Sequence, residues 1–256
     1  MSRYLKNMKF TNKIKVRWHD TDANRIVRPS KIVEYMQETA NVQCEASGLP
    51  LDKLRDERGL GFILGALSLR IDAPLHAYDE IEVCTWCRPA RGYIYNRYFE
   101  IKRDGVTVAQ AASTWVLLDI NQKNLVRTSP DDDMHSHFYY DEPIDADALP
   151  KKVRIPRDAE LECVGTRRVV YSDIDYNMHM NNAHYPDMIC DFLCEMTDTA
   201  ASHFLSSLSL SYLKEAALGD TLTVYRSAPD SEGNVIVQAK NSVGDVCFEA
   251  LVTLTK

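Results

Sequence analysis

Residues 18–24 read WHDTDAN and residues 171–177 read YSDIDYN, so an aromatic-x-D-x-D-x-N motif occurs twice in the chain, at an offset of 153 residues. A later match pairs Leu67-Ser-Leu69 with Leu208-Ser-Leu210 in the same order, at an offset of 141. The offset shortens because the first copy carries an extra segment, Leu49 to Gly61. Repeated matches in one order indicate an internal duplication, the first feature to look for in a new sequence.

An acidic stretch separates the two copies. Residues 129–149 carry seven Asp and Glu side chains, two prolines and no Lys or Arg. A segment of this composition buries too little apolar area to fold alone, so it is expected to be a linker. The predicted organisation is therefore an N-terminal unit of residues 1–128, a linker of residues 129–160 and a C-terminal unit of residues 161–256.

Each copy shows the pattern of one long helix followed by strands. In the first copy, apolar residues recur at three- and four-residue steps from Pro29, which suits a first helical turn, to Gly48, a C-terminal stop. The second copy shows the same period over residues 182–196. Alternating residues then predict strands, with Asp104-Gly105 as a hairpin turn in the first copy. The strands expected in the second copy are 206–213, 220–227, 233–240 and 244–255.

This inventory in each half fits an antiparallel sheet wrapped around one buried helix, so we predict an α+β fold of two tandem hotdog domains, a double hotdog. Two fused hotdogs supply within one chain the pairing that single-hotdog proteins obtain by dimerising. A monomer or a homodimer is therefore expected.

The composition excludes several classes of protein. With 45% apolar and 26% charged residues, the chain is typical of globular proteins and not of disordered or fibrous ones. The formal net charge of −7 disfavours nucleic-acid binding. No apolar run approaches the roughly 18 residues of a membrane helix, and the N-terminus lacks the apolar core of a signal peptide. Seven cysteines are odd in number and dilute, so reduced thiols in the cytoplasm are expected.

The two copies differ where chemistry is possible. Residues 175–182 read DYNMHMNN, whereas their counterparts in the first copy read DANRIVRP. Only the second copy therefore has a histidine, His179, which can handle protons near neutral pH. In a loop, Asp175, Asn177 and His179 at two-residue spacing can project to one side. The amides at the start of the following helix, capped by Asn181 or Asn182, could bind a developing oxyanion.

Metal-binding alternatives fail on spacing. D-x-D-x-N resembles the start of a calcium-binding EF-hand loop, which needs Gly at position six and Glu at position twelve. The second copy has Met178 and His184 at those positions. The Cys84-x-x-Cys87 pair has no second pair to complete a zinc site. We expect no metal and no other cofactor.

The motif D-x-N-x-H-x-N-N of residues 175–182, followed by Tyr185, resembles that of the acyl-[acyl carrier protein] thioesterase family, double-hotdog hydrolases of plants and bacteria. The next functional segment of that family reads roughly Y-R-R-E-C, and residues 212–216 here read YLKEA. Glu215 therefore matches the family's catalytic glutamate. The cysteine of the plant enzymes is replaced by Ala216, which argues against a cysteine mechanism in this chain.

The resemblance implies hydrolysis of a fatty-acyl thioester on acyl carrier protein to free fatty acid and holo-carrier. It implies that Glu215 is the general base or nucleophile and that His179 is its hydrogen-bonding and proton-transfer partner. Asn177 would orient the water or the carbonyl, and Asp175 would brace the loop. The same fold also serves acyl-coenzyme A thioesterases, and a non-catalytic acyl-binding hotdog protein is a third reading.

The N-terminal half, which lacks the histidine, is expected to bind the acyl chain. The candidate chain-binding residues are Met36, Ile63, Leu64 and Leu67. Acyl carrier protein is itself acidic, so an enzyme of net negative charge needs a local basic patch to bind it. The candidate carrier-binding residues are Lys151, Lys152, Arg154, Arg157, Arg167 and Arg168, with the basic N-terminal arm as the alternative.

Overall fold

In a computed structural model of the chain, the described residues are 9–88, 90–127, 144, 153, 155–156, 158–193 and 204–255. The predicted linker, residues 129–160, lies almost entirely outside them. Within the described ranges, no helix is long and apolar enough to span a bilayer.

The N-terminal half consists of a strand, two helices and five further strands. These are β1 (Phe10–Lys15), α1 (Pro29–Ala46), α2 (Leu51–Arg58), β2 (Leu60–Ile71), β3 (Glu80–Cys87), β4 (Ile94–Arg103), β5 (Val106–Asp119) and β6 (Asn124–Val126). The described residues of the C-terminal half repeat the strand–helix–strands plan. Its elements are β7 (Glu162–Arg168), α3 (His184–Leu193), β8 (Phe204–Tyr212), β9 (Thr221–Arg226), β10 (Asn234–Lys240) and β11 (Val246–Thr255).

Among the described residues, the strands form one antiparallel sheet of 11 strands, in the order β1-β3-β4-β5-β2-β8-β11-β10-β9-β7, with β6 paired to β5. The two halves join where β2 pairs with β8, and there the repeated Leu-Ser-Leu segments pair in antiparallel orientation. Leu67 pairs with Leu210, Ser68 with Ser209 and Leu69 with Leu208. A local two-fold axis therefore passes beside Ser68. The pairing satisfies two strand edges that separate hotdogs would leave open.

The helices and turns largely follow the sequence pattern. The helix predicted from Pro29 is confirmed as α1, and Gly48 follows it with a left-handed φ of 84°. The Asp104-Gly105 hairpin is confirmed between β4 and β5, with φ of 53° and 76°. Helix α3 begins two residues later than predicted, at His184, and residues 194–196 lie outside the described ranges. Helix α2, in the extra segment of the first copy, was not predicted.

The two long helices pack against each other in the core. The carboxylate of Asp187 on α3 accepts hydrogen bonds from the Ser30 backbone N at 2.8 Å and the Ser30 Oγ at 2.6 Å. Ser30 lies in the first turn of α1, where backbone N–H groups lack partners within the helix and the dipole favours a negative charge. A residue of one half therefore caps the helix of the other half.

The first aspartate of each D-x-D-x-N motif is structural. Asp20 is 2% exposed, accepts a hydrogen bond from the Tyr35 hydroxyl at 2.7 Å and pairs with the Arg17 Nε at 2.9 Å. Its counterpart Asp173 is 4% exposed and pairs with Arg167. Asp173 ties its motif to β7, and Asp20 ties its motif to Arg17, just beyond the end of β1, and to α1.

Replacing Asp20 with Asn is expected to lower the free energy of unfolding by about 1–3 kcal/mol at pH 7, because Arg17 and Tyr35 lose a charged acceptor. Burial alone would raise the pKa of Asp20, but the hydrogen bonds from Arg17 and Tyr35 outweigh it and hold this pKa below its ordinary value. The stability contributed by a depressed pKa is present above the unfolded value and is lost as pH falls below about 4.

Urea unfolding between pH 7 and pH 3 measures this effect. The free energy of unfolding of wild type should exceed that of Asp20→Asn at pH 7, and this difference should become smaller as the pH falls to 3. Asp56→Asn, at an exposed carboxylate on α2, controls for the loss of one negative charge. A gap that stays constant down to pH 3 would contradict the assignment of this acid sensitivity to Asp20.

Candidate active site

The second D-x-D-x-N motif forms a tight loop closed by backbone contacts. The Asp175 N donates to the His179 carbonyl at 3.1 Å, and the Asp175 Oδ1 accepts from the Asn177 N at 2.8 Å. Met178 takes a left-handed φ of 65° at the tip. The first copy has the same loop, with Asp22 bonded to Asn24 N and Arg25 at φ 63°. The duplication therefore conserves the loop geometry and changes the side chains it presents.

The segment after β8 brings Glu215 to this loop. Met180 N donates to the Ala216 carbonyl at 2.8 Å, and His179 pairs with Ala217 in an antiparallel bridge. The Nε2 of His179 then lies 3.2 Å from the Oε2 of Glu215, with 33% and 65% of the two side chains exposed. This is the distance over which a base and an acid exchange a proton.

The first copy keeps the backbone arrangement without these two side chains. Ile26 pairs with His76 as His179 pairs with Ala217. At the sequence offsets of the two repeats, Ile26 corresponds to His179 and Pro74 to Glu215. The acid–base pair therefore occurs in one half of the molecule.

The N-terminal half reaches the loop through α2. Arg55 donates from its Nη1 to the Oδ1 of Asn177, and its guanidinium lies over the Tyr176 ring at 4.8 Å from the centroid. Sequence reasoning missed Arg55. The available signal was the extra segment Leu49–Gly61, since Pro50 precedes α2 and Gly59 ends it in a left-handed conformation with φ of 65°.

A cavity of about 1910 Å³ opens beside these residues and is lined by both halves. Small-molecule pockets measure about 300–1,000 Å³, so this one has room for a long ligand. The N-terminal half contributes residues of α1, α2 and β2 to its wall. The motif residues on the wall are Asp175, Asn177, His179 and Glu215.

The four candidate chain-binding residues separate into two pairs. Ile63 and Leu64 line the cavity. Met36 and Leu67 are each 2% exposed and pack in the central core, away from the cavity wall. The register of β2 against β5 shifts between Leu64 and Ala66, so a bulge lies between the two groups. Bulges change the direction in which a strand presents its side chains.

The backbone amides at the start of α3 donate hydrogen bonds within the same turn. The Asn181 Oδ1 accepts from the Ala183 N, and the Asn181 carbonyl accepts from the His184 N, both at 2.9 Å. Asn181, one of the two expected capping residues, therefore makes these bonds in the turn that leads into α3, and the amides of Ala183 and His184 are occupied there.

Two buried tyrosines support the end of the motif. The Tyr212 hydroxyl donates to the Asn182 carbonyl at 3.0 Å, and the Tyr185 ring meets the Tyr212 ring edge-on. Burial raises the pKa of both phenols above the ordinary value. Both therefore remain neutral hydroxyls at physiological pH and hold the loop without carrying charge.

Of the candidate carrier-binding residues, Lys151, Lys152, Arg154 and Arg157 lie outside the described ranges, as do residues 1–8 of the basic arm. Arg167 is engaged by the buried Asp173, and Arg168 is exposed. Within the described part of the chain, no three His, Cys, Asp or Glu side chains converge to form a metal site.

Two plant proteins are related to this sequence over most of its length. A palmitoyl-acyl carrier protein thioesterase of Gossypium hirsutum is 22% identical over 232 residues, covering 87% of this chain and 55% of the relative. A palmitoyl-acyl carrier protein thioesterase of Cuphea hookeriana is 23% identical over 237 residues, covering 88% and 56%. The chain thus spans about half the length of the curated relatives that it matches.

Solved structures confirm the double-hotdog fold. An acyl-ACP thioesterase from Bacteroides thetaiotaomicron superimposes with a TM-score of 0.80 at 21% identity, covering 96% of this chain and 97% of that chain. The 12:0-ACP thioesterase from Umbellularia californica gives 0.79 at 17% identity with the same coverage.

Family models describe the two halves of the chain separately. The acyl-ACP thioesterase N-terminal domain matches residues 7–135, and the acyl-ACP thioesterase C-terminal domain matches residues 159–252. Together the two matches account for most of the sequence and confirm the resemblance first seen in the D-x-N-x-H-x-N-N motif. This chain therefore belongs to the acyl-ACP thioesterase family.

Proposed function

We propose that this protein hydrolyses the thioester of a fatty acyl-[acyl carrier protein], releasing free fatty acid and the carrier thiol. One observation carries the proposal, which is the 3.2 Å approach of the His179 Nε2 to the Glu215 Oε2 on the wall of a large cavity. Membership of the acyl-ACP thioesterase family supports the choice of substrate.

The residues on the cavity wall are sufficient for thioester hydrolysis. The Glu215 carboxylate either takes a proton from water or attacks the carbonyl carbon itself, and both routes give a tetrahedral intermediate. Collapse of this intermediate breaks the carbon–sulfur bond. In the general-base route, Glu215 passes the proton of the attacking water to His179, and His179 returns it to the departing sulfur as the fatty acid forms. In the nucleophilic route, the sulfur leaves as a thiolate and the acyl group remains on Glu215 as a mixed anhydride. Water then hydrolyses this anhydride, which releases the fatty acid and regenerates the carboxylate, and His179 passes the proton of that water to the thiolate. Asp175 keeps the loop in shape by accepting the Asn177 backbone N–H.

The cavity provides the driving force for substrate binding. Each methylene of an acyl chain that leaves water contributes about 0.8 kcal/mol, so a long chain gains several kcal/mol in an apolar channel. Ile63 and Leu64 are the chain-binding residues that we retain, because they lie on the cavity wall.

For the carrier, Arg168 is the described member of the basic patch with an exposed side chain. We place the reaction in the cytoplasm. Cys44, Cys84 and Cys247 are buried free thiols, and a reducing compartment preserves them.

Hydrolysis of one acyl chain presented on two carriers tests the substrate. We expect kcat/KM for the acyl carrier protein thioester to exceed that for the coenzyme A thioester by about tenfold or more, which corresponds to about 1.4 kcal/mol of transition-state binding. Release of free thiol over a series of chain lengths is the measurement. Equal or faster turnover of the coenzyme A substrate would make the protein an acyl-coenzyme A thioesterase. Binding without turnover of either substrate would make it an acyl-binding protein.

A further inference from the structure

The contact between Arg55 and Asn177 joins the two halves at the cavity mouth. Arg55 lies on α2, which belongs to the segment that the second copy lacks. Leu54, 2% exposed, anchors this helix against Cys44 and Leu117. The guanidinium is held on a second side by the Tyr176 ring, at 4.8 Å. Arg55 is therefore fixed by the N-terminal half while it contacts a loop of the C-terminal half.

The chemistry of arginine determines how the Asn177 amide is oriented. A guanidinium only donates hydrogen bonds, so the amide atom that faces it must be the carbonyl oxygen. The Asn177 backbone is fixed independently, because its N–H donates to the Asp175 Oδ1 at 2.8 Å. Because the Asn177 main chain and its Oδ1 are both held, the Nδ2 amino group is the part of the side chain that remains to hydrogen-bond the substrate.

We propose that Arg55 is a positioning residue that makes Asn177 an oxyanion donor, with the Asn177 Nδ2 hydrogen-bonded to the thioester oxygen as it becomes negative. This inference rests on the proposed thioester hydrolysis. An asparagine can either orient water or polarise the carbonyl, and this proposal assigns the second role to Asn177. An amide whose oxygen is engaged by Arg55 is poorly placed to accept a hydrogen bond from the attacking water.

Two further observations support the donor role. The amides of Ala183 and His184, at the start of α3, are occupied by Asn181. The positive charge of Arg55 also polarises the Asn177 amide, and hydrogen bonds to charged groups reinforce the bonds that follow them in a chain. The Asn177 Nδ2–H group is thereby a stronger donor than a free amide.

Asn177→Asp separates the two roles. The carboxylate still accepts from Arg55 but has no NH2, so kcat is expected to fall about 100-fold with little change in KM, as when an oxyanion donor is removed. The melting temperature should be retained, because the contact with Arg55 becomes an ion pair. If Asn177 oriented water by accepting a hydrogen bond from it, the aspartate would serve as well. Activity within a few-fold of wild type would overturn the proposal.

Arg55→Met tests the positioning role. We expect kcat to fall about tenfold while KM for the acyl-carrier substrate changes less than twofold, because the contact is made to the catalytic amide. Arg55→Lys should recover part of kcat, since an ammonium also donates to Oδ1. Arg58→Met, an exposed arginine one turn further along α2, is the matched control and should keep full activity.

A double-mutant cycle shows whether Arg55 acts through Asn177. In an Asn177→Ala background, Arg55→Met should have no further effect on kcat, because the group that it positions is gone. The full tenfold loss in that background would show that Arg55 acts elsewhere and would overturn the proposal.

Nitrogen-15 NMR of the substrate-free protein gives a readout independent of activity. The Asn177 side-chain NH2 resonance, assigned by its loss in Asn177→Asp, should move in Arg55→Met and stay in place in Arg58→Met. An unmoved resonance in an active enzyme would remove the positioning role and leave the proposed function intact. A resonance that moves in a protein inactive on every thioester would instead remove the proposed function, and with it the oxyanion role.

Discussion

Glu215→Gln is expected to lower kcat for thioester hydrolysis by about 10⁴-fold, the upper range for loss of a general base. Glutamine has the size and shape of glutamate but is neither a base nor a nucleophile. The loss is therefore expected whether Glu215 activates water or attacks the carbonyl. Thiol release from the acyl-carrier substrate under saturating conditions measures the effect on kcat.

The folded state should tolerate this change. The Glu215 side chain is 65% exposed and pairs with His179, so the melting temperature should match that of wild type. Glu57→Gln, at an exposed carboxylate on α2 that does not line the cavity, controls for the loss of one negative charge. A Glu215→Gln enzyme that retains a tenth of wild-type turnover would exclude Glu215 from the chemical step.

His179→Ala is expected to lower kcat by about 10³-fold, within the range for removal of a proton-transfer group. The imidazole Nε2 lies 3.2 Å from the Glu215 Oε2, so it both orients the carboxylate and provides a path for the proton. His179→Gln distinguishes these roles, because glutamine keeps a hydrogen-bond donor but does not shuttle protons. Both variants should be similarly impaired.

Recovery of activity to within tenfold of wild type in His179→Gln would show that His179 acts only as a hydrogen-bond donor. His19→Gln, at an exposed histidine in the first copy of the motif, is the matched control and should leave kcat unchanged. The first copy also shows that the loop forms with an aliphatic residue at the corresponding position, Ile26, so His179→Ala is expected to fold.

Local patterns predicted much of the scaffold. The helix from Pro29, the Asp104-Gly105 hairpin and the strands of the second half depend on periodicity and turn chemistry, which act between near neighbours. The duplication also indicated that one copy alone carries the histidine. Helix α2 was missed because its eight residues interrupt the repeat and have no second copy for comparison.

Residue periodicity does not determine which surface an apolar face meets. Leu64 and Leu67 lie on the same strand and are both buried, yet only Leu64 borders the cavity. Likewise, Arg167 reads as a surface cation in the sequence, but Asp173, six residues later, engages it. Such outcomes depend on contacts made after the chain has folded.

The sequence by itself determined that the chain is a duplicated hotdog with a D-x-N-x-H loop in its second copy, since these features lie within short stretches of residues. The resemblance of the two motifs led us to expect Glu215 beside His179, and the tertiary structure shows how the chain brings them together. Only the tertiary structure decided that Arg55 from the first half holds Asn177. The pairing of β2 with β8 joins the two halves into one sheet, and the cavity mouth lies between them. Contacts between groups so distant along the chain leave no periodic signal in the sequence, because they arise from packing and not from local conformation.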